Sequence, residues 1–232
     1  MTEQHTDHDA GPDVTGLTIG ILGGTGAEGR GLACRFAQAG LRVIIGSRSA
    51  ERAASAAESA AAFGAADLVT GLENAEAARR ADVVVVAVPW EGHRDLLTAL
   101  APELEGKIVI DCVNPIGFDS RGAFALPVAE GSAAQQAAAV LPGSRVVGAF
   151  HHVSSVLLLD PEVETLDMDV LVLGEEREAT DVVQALAARI PGARGVYAGR
   201  LRNCGQVEAL TANLVSINRR YKAHAGFRVT DV

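Results

Sequence analysis

At 232 residues and 48% hydrophobic, the chain is long enough for one sizeable core, or for a full domain plus a smaller lobe. A formal net charge of −9 argues against general affinity for nucleic acid, which needs a basic face, and no apolar run reaches the roughly 18 residues that span a membrane. The widely spaced Cys34, Cys112 and Cys204 encode neither a disulfide framework nor a zinc site; they read as small buried residues of a reducing, cytoplasmic compartment.

Residues 1–16 are polar and carry no signal-peptide pattern, so a disordered tail is expected, with His5 and His8 solvated rather than holding a metal. The apolar run Leu17–Leu22 is the first expected strand. Directly after it, Gly23 to Gly31 contains five glycines in nine residues. Gly24, Gly26 and Gly29 form G-x-G-x-x-G between a strand and a helix. In that arrangement Gly24 allows the tight turn, Gly26 lets a pyrophosphate approach the backbone, and Gly29 lets the helix pack close to the strand. Leu32, Ala33, Phe36 and Ala37 give the helix one apolar face, and Gly40 ends it. Free N–H groups at its start suit the phosphates of a dinucleotide.

The second strand, Arg42 to Ile45, is followed by Gly46, Ser47 and Arg48, with Arg52 one helical turn later. An NAD site places an acid here for the ribose hydroxyl. A hydroxyl and two guanidinium groups suit a 2′-phosphate instead, so NADP is expected.

Further strands are expected at Asp82–Val88, Lys107–Asp111 and Arg145–Ala149, separated by Ala-rich helical stretches. Continuous apolar strands alternating with helices define a doubly wound parallel α/β sheet of the Rossmann kind over residues 17–150. Ligands of such sheets bind outside the carboxyl ends of the strands. Trp90 in "VAVPWEGH" is therefore expected beside the cofactor, and Asn114 with Pro115 in "VIDCVNP" beside the nicotinamide. Residues 151–232 read as a small C-terminal α/β lobe: a strand at Val170–Leu173, a helix at Glu176–Ile190, a short strand at Gly195–Tyr197 and a long helix from about Asn203 to Ala225. In that helix Val207, Leu210, Leu214, Ile217 and Tyr221 make a seam that calls for another helix or a homodimer partner. Between Arg194 and Arg228, seven basic residues face the single acid Glu208, which fits an anionic ligand, an acidic neighbouring surface or a solvated helix face. The Tyr-x-x-x-Lys pair of short-chain reductases is missing, since Leu201 and Ala225 stand four residues after Tyr197 and Tyr221.

The landmarks "GILGGTGAEGRGLA", "IIGSR" with Arg52, "VAVPWE", "AFHHVSS" and "SINRRYKAHAG" together resemble the NADPH-dependent reductases of the deazaflavin coenzyme F420, from about Leu17 to the C-terminus. That resemblance implies direct hydride transfer between C4 of the nicotinamide and C5 of the deazaflavin, with no catalytic side chain and no metal. It implies that Thr25, Gly26, Ala27 and Glu28 wrap the pyrophosphate and approach the nicotinamide. Ser47, Arg48 and Arg52 would hold the 2′-phosphate, and Trp90 and Ile116 would line the NADP side. The deazaflavin would lie against His151, Val153, Ser155, Ala209 and Thr211, in a cleft between the lobes. Two other readings stay open on the residues: an NADP reductase of an imine or ketone, and a non-catalytic NADPH sensor.

Overall fold

The computed structural model describes residues 11–232; residues 1–10, with His5 and His8, lie outside the described residues. The chain alternates strand and helix as β1 (Thr18–Leu22), α1 (Ala27–Gln38), β2 (Arg42–Ser47), α2 (Ala50–Ala57), β3 (Val69–Glu73), α3 (Asn74–Arg80), β4 (Val83–Val86), α4 (His93–Leu104) and β5 (Ile108–Asp111). A hairpin follows, β6 (Ile116–Asp119) and β7 (Gly122–Ala125). After it come α5 (Ala133–Val140), β8 (Arg145–Gly148), α6 (Ser155–Leu158), β9 (Met168–Gly174), α7 (Arg177–Ala188), β10 (Ala193–Gly199) and α8 (Cys204–Tyr221).

One eight-stranded sheet runs β10-β9-β8-β5-β4-β1-β2-β3. From β3 to β8 every pairing is parallel, and the strand order reverses between β1 and β4. This is the doubly wound arrangement that the apolar strands predict, because Ile19, Ile21, Val83 to Val86 and Ile108 to Ile110 are buried and need helices on both faces. The segment after residue 150 extends the same sheet: β9 runs antiparallel to β8 through Val147 opposite Gly174, and β10 is parallel to β9. Val14, inside the stretch expected as tail, packs into the core at 3% exposure.

The apolar seam of α8 is covered only as far as Leu214. Val207, Ala212 and Leu214 are buried, whereas Ile217 and Tyr221 are exposed, and the helix stops at Lys222 in a left-handed conformation. Two of the basic residues near the C-terminus serve the fold: Arg194 and Arg228 both bond the buried Asp169 carboxylate, which also accepts from Val229 N at 2.6 Å. No helix of the described residues is long and apolar enough to cross a membrane.

Arg35 is the largest polar group in the interior, at 0% exposure. Its guanidinium donates to the carbonyls of Leu157, Leu158, Asp160 and Val163 at 2.7–2.9 Å, tying α1 to the end of α6 and the loop beyond. Each buried polar group left without a partner costs about 1–3 kcal/mol. Arg35→Met should therefore destabilise the protein by at least ~3 kcal/mol, and thermal unfolding should move down by roughly 6 °C or more. An unchanged melting temperature would contradict this account.

Candidate functional site: a glycine turn and a buried polar junction

The turn after β1 is built by close backbone contacts. Gly23 takes φ +67°, and a Cβ on it would meet Val88 Cγ1 at 2.3 Å. The positive φ thus falls at Gly23 and not at Gly24, whose own restriction is the Ile21 carbonyl 2.7 Å from a Cβ position. A Cβ on Gly29 would lie 2.5 Å from Gly24 Cα, so the first turn of α1 rests directly on the loop. Gly26 differs, because it is exposed and nothing in the chain comes within 3.8 Å of its Cβ position. It caps α1 without a side-chain bond, which leaves the helix N–H groups open to an anion. Thr25 is half-buried and Ala27 exposed.

At the end of β2, Ser47 is buried and its hydroxyl accepts from Ser49 N at 3.3 Å, while Ser49 in turn caps α2. Arg48 and Arg52 are exposed. Arg79, Arg94, Arg121 and Arg177 have carboxylate partners; among the described residues Arg48 and Arg52 have none. Asn74, which the sequence pattern did not single out, joins this edge to the glycine turn: its side-chain oxygen accepts from Gly23 N at 3.3 Å beside Gly46.

Beyond the switch point, Trp90 lies half-buried with its ring 5.6 Å from that of His93. His93 is fully buried, with Nε2 2.6 Å from Asp111 Oδ2 and Nδ1 3.0 Å from Gln136 Oε1. Gln136 uses its amide N–H on Glu130, so its Oε1 faces His93 Nδ1 and a carboxylate oxygen of Asp111 faces Nε2. Burial opposes the charge, but the hydrogen bond and charge of Asp111 outweigh it and raise the His93 pKa. Glu208, across from this pair, accepts from the N–H groups of Ala133 and Ala134 at the start of α5; burial, opposed by those two bonds, pushes its pKa up to about 7.

Asn114, His151 and Thr211 come together from three separate segments. Asn114 Nδ2 donates to the His151 carbonyl at 2.9 Å, and the Thr211 hydroxyl donates to Asn114 Oδ1 at 3.2 Å and to the same carbonyl at 3.3 Å. Ile116 opens β6 beside them, Ser155 opens α6, Val153 is buried and Ala209 half-buried on α8. Phe150 precedes this junction at φ +65°, a left-handed conformation for a bulky residue. Both ring nitrogens of the buried His151 lack partners, as does Nε2 of His152. Burial holds the two imidazoles neutral, with pKa values lowered to about 3 and about 4.

Glu28 sits in the first turn of α1 with a buried carboxyl oxygen that has no partner. A helix N-terminus favours the carboxylate by only about 0.3–1 kcal/mol, whereas burial shifts such groups by as much as 3–5 pKa units. Burial wins, and the Glu28 pKa rises to about 8. Among the described residues no group of three His, Cys, Asp or Glu side chains is placed to hold a metal ion.

The alternating parallel sheet, the reversal between β1 and β4 and the glycine turn at the end of β1 define a Rossmann-type chain with a dinucleotide-style turn. Residues 18–115 match the family model for NADP oxidoreductase, coenzyme F420-dependent. Over 223 residues the chain is 39% identical to the F420-dependent NADP reductase of Methanothermobacter thermautotrophicus, covering 93% of this chain and 96% of that protein. It is 38% identical to the enzyme of the same name from Methanothermobacter marburgensis, covering 93% and 99%. A solved structure from Arthrobacter sp. FB24 superposes with a TM-score of 0.79 at 26% identity, covering 93% of this chain and all of that one. The chain belongs to the family of F420-dependent NADP reductases.

His93 supplies a test of the buried pair. A histidine whose folded pKa is raised contributes stability that is fully present below its unfolded value of about 6.5 and is lost as pH rises through the folded value. The difference in unfolding free energy between wild type and His93→Gln should therefore be larger at pH 6 than at pH 9. A difference that is equal or wider at pH 9 would rule out a charged His93–Asp111 pair.

Proposed function

We infer that this chain is an oxidoreductase that moves a hydride directly between NADP(H) and coenzyme F420. The observation that carries the reading is that the open Gly26 turn follows β1 while Asn114 and His151 follow β5 and β8, strands parallel to it, so the turn and a junction of partly unpartnered polar groups lie at the same carboxyl end of the sheet. Gly26 leaves room for a pyrophosphate, together with Gly24, Thr25, Ala27, Glu28 and Gly29. Ser47, Arg48 and Arg52 supply a hydroxyl and two unpaired cations for a 2′-phosphate. Trp90, Asn114 and Ile116 line the nicotinamide side, and His151, Val153, Ser155, Ala209 and Thr211 line the deazaflavin side.

The two bound cofactors supply the chemistry: a hydride leaves C4 of one ring and bonds to C5 of the other, and the deazaflavin ring nitrogen exchanges the accompanying proton with water. What the chain contributes is alignment, since reacting atoms must be held roughly 3–3.5 Å apart. Neutral His151 offers a hydrogen bond to a ring heteroatom without acting as a cationic acid at neutral pH. An imine or ketone reductase needs a positioned proton donor, and the junction of Asn114, His151 and Thr211 does not offer one of the usual Lys or Tyr kind. NADPH carrying deuterium at the transferred C4 position should place that label on C5 of reduced F420, while the visible absorbance of oxidised F420 falls. Recovery of the label in solvent would overturn direct transfer.

The same reading includes a cytoplasmic homodimer. Ile217 and Tyr221 continue the α8 seam into solvent, near the hairpin that carries the exposed Phe118 and Phe124. Light scattering at micromolar concentration should give twice the chain mass; a monomer would remove the dimer.

A further inference from the structure

We propose that Glu28 binds the nicotinamide–pyrophosphate half of the dinucleotide as a neutral carboxylic acid, donating a hydrogen bond to one of its oxygens, and that loss of this proton weakens binding. The proposal rests on the reading of the site as an NADP site. It goes beyond a glycine loop that merely admits the pyrophosphate, because it gives the loop a side-chain donor that titrates.

The geometry is that of a donor waiting for an acceptor. Glu28 follows Gly26 by two residues, within the first turn of α1, where open backbone N–H groups already face the ligand position. Its Oε1 is buried and unpartnered, although buried polar groups are as a rule bonded. The chain does not answer it with a cation. Cys112, just beyond β5, is its titratable neighbour, and burial above all holds that thiol protonated. The Cys112 thiol is already committed to the Val86 carbonyl at 3.0 Å.

The elements packed on α1 are β1, β2, β3, α6 and the 3-10 turn at Glu58–Phe63. Their charged groups are Arg42 at the far end of β2, Glu58 on the turn and Glu73 at the end of β3; on α1 itself there are Arg30 and Arg35. None of these contributes to the shift at Glu28, which comes from burial alone and puts the transition at about 8. A bound pyrophosphate brings further negative charge to the same helix turn, so the neutral form is the one that fits the complex.

Affinity should be constant below the transition and fall above it. NADPH binding to the full-length protein, without F420, is read from the nucleotide's fluorescence between pH 6 and pH 9. If only the neutral form binds, Kd should rise about tenfold between pH 7 and pH 9. Glu28→Gln, which keeps the shape and the donor but cannot ionise, should retain the wild-type affinity at pH 6 and show no rise. Glu28→Ala should bind more weakly at pH 6 and also show no rise. Adenosine 2′-monophosphate, which lacks the half that Glu28 would meet, should bind wild type without this dependence. A flat wild-type profile, an affinity that improves with pH, or a rise that persists in Glu28→Gln would each overturn the proposal; persistence would move the titration to Glu208. The NADP reading has its own readout: Arg48→Ala should weaken NADPH at least ~10-fold while barely changing NADH, by loss of a charged hydrogen bond. Failure at Glu28 with the Arg48 effect intact sinks only the inference about the acid.

Discussion

The contact on which the site depends is the one between Gly24 and Gly29. With 2.5 Å between the Gly24 Cα and the place a Gly29 side chain would begin, any other residue at 29 pushes α1 off the loop. That contact fixes where α1 starts, and therefore where its unpaired N–H groups point. Because β1 lies at the reversal of strand order, the helix start faces the crevice beyond the strands, and not a neighbouring helix. Gly20 repeats the device one layer away: a Cβ there would meet Ala81 Cβ at 2.8 Å, so α3 also approaches β1 closely. Two helices pressed on the first strand make its carboxyl end a rigid rim.

Buried polar groups divide into two kinds around this rim. Arg35 is bonded at every turn to backbone carbonyls, and His93 is bonded at both nitrogens. These groups act as fixed braces, one holding the segment after α6 against α1 and the other holding Trp90 and α4 against β5. His151 and Glu28 are buried as deeply at their unpartnered atoms and are left unbonded. Such a group costs stability in the chain alone. Not every unpartnered atom lies at the rim, since those of Glu103 and Arg189 are at the ends of α4 and α7, but the ones of Glu28 and His151 follow β1 and β8 at the carboxyl side of the sheet.

Most of the sheet was legible because its strands are continuous β-branched runs, and the glycine turn because spacing and context agree. What escaped was made of weaker signals. The edge strand β3 reads Val-Thr-Gly-Leu-Glu, half-exposed and broken by Gly71, whose Cβ position lies 2.1 Å from the backbone of Ala53; the glycine is there to seat α2. The β6–β7 hairpin has four-residue strands and an Asp119 turn, too short for an alternating pattern to register. The α8 seam was visible as a period, but a period does not say which copy covers it. Asn74, His93 and Arg35 lay beyond sequence reasoning for a common reason: each acts through a partner 18 or more residues away, and nothing local marks it.

The two halves of the proposed cleft therefore differ in what specifies them. The glycine turn of the dinucleotide half is made by backbone: small residues at set spacing create room and leave the first N–H groups of α1 without a side-chain cap. Such a site leaves its trace in one short stretch, Gly23 to Gly31. The other half is made by the side chains of residues 114 and 211, brought together on a single backbone carbonyl, that of His151. Its chemistry lies in an environment that keeps imidazoles uncharged, and burial is a property of the assembled fold and not of any motif. A reaction between two cofactor rings suits such a surface. It needs precise placement, and because the proton that the deazaflavin ring nitrogen takes up with the hydride can come from water, a cationic acid beside the transferring hydride is dispensable.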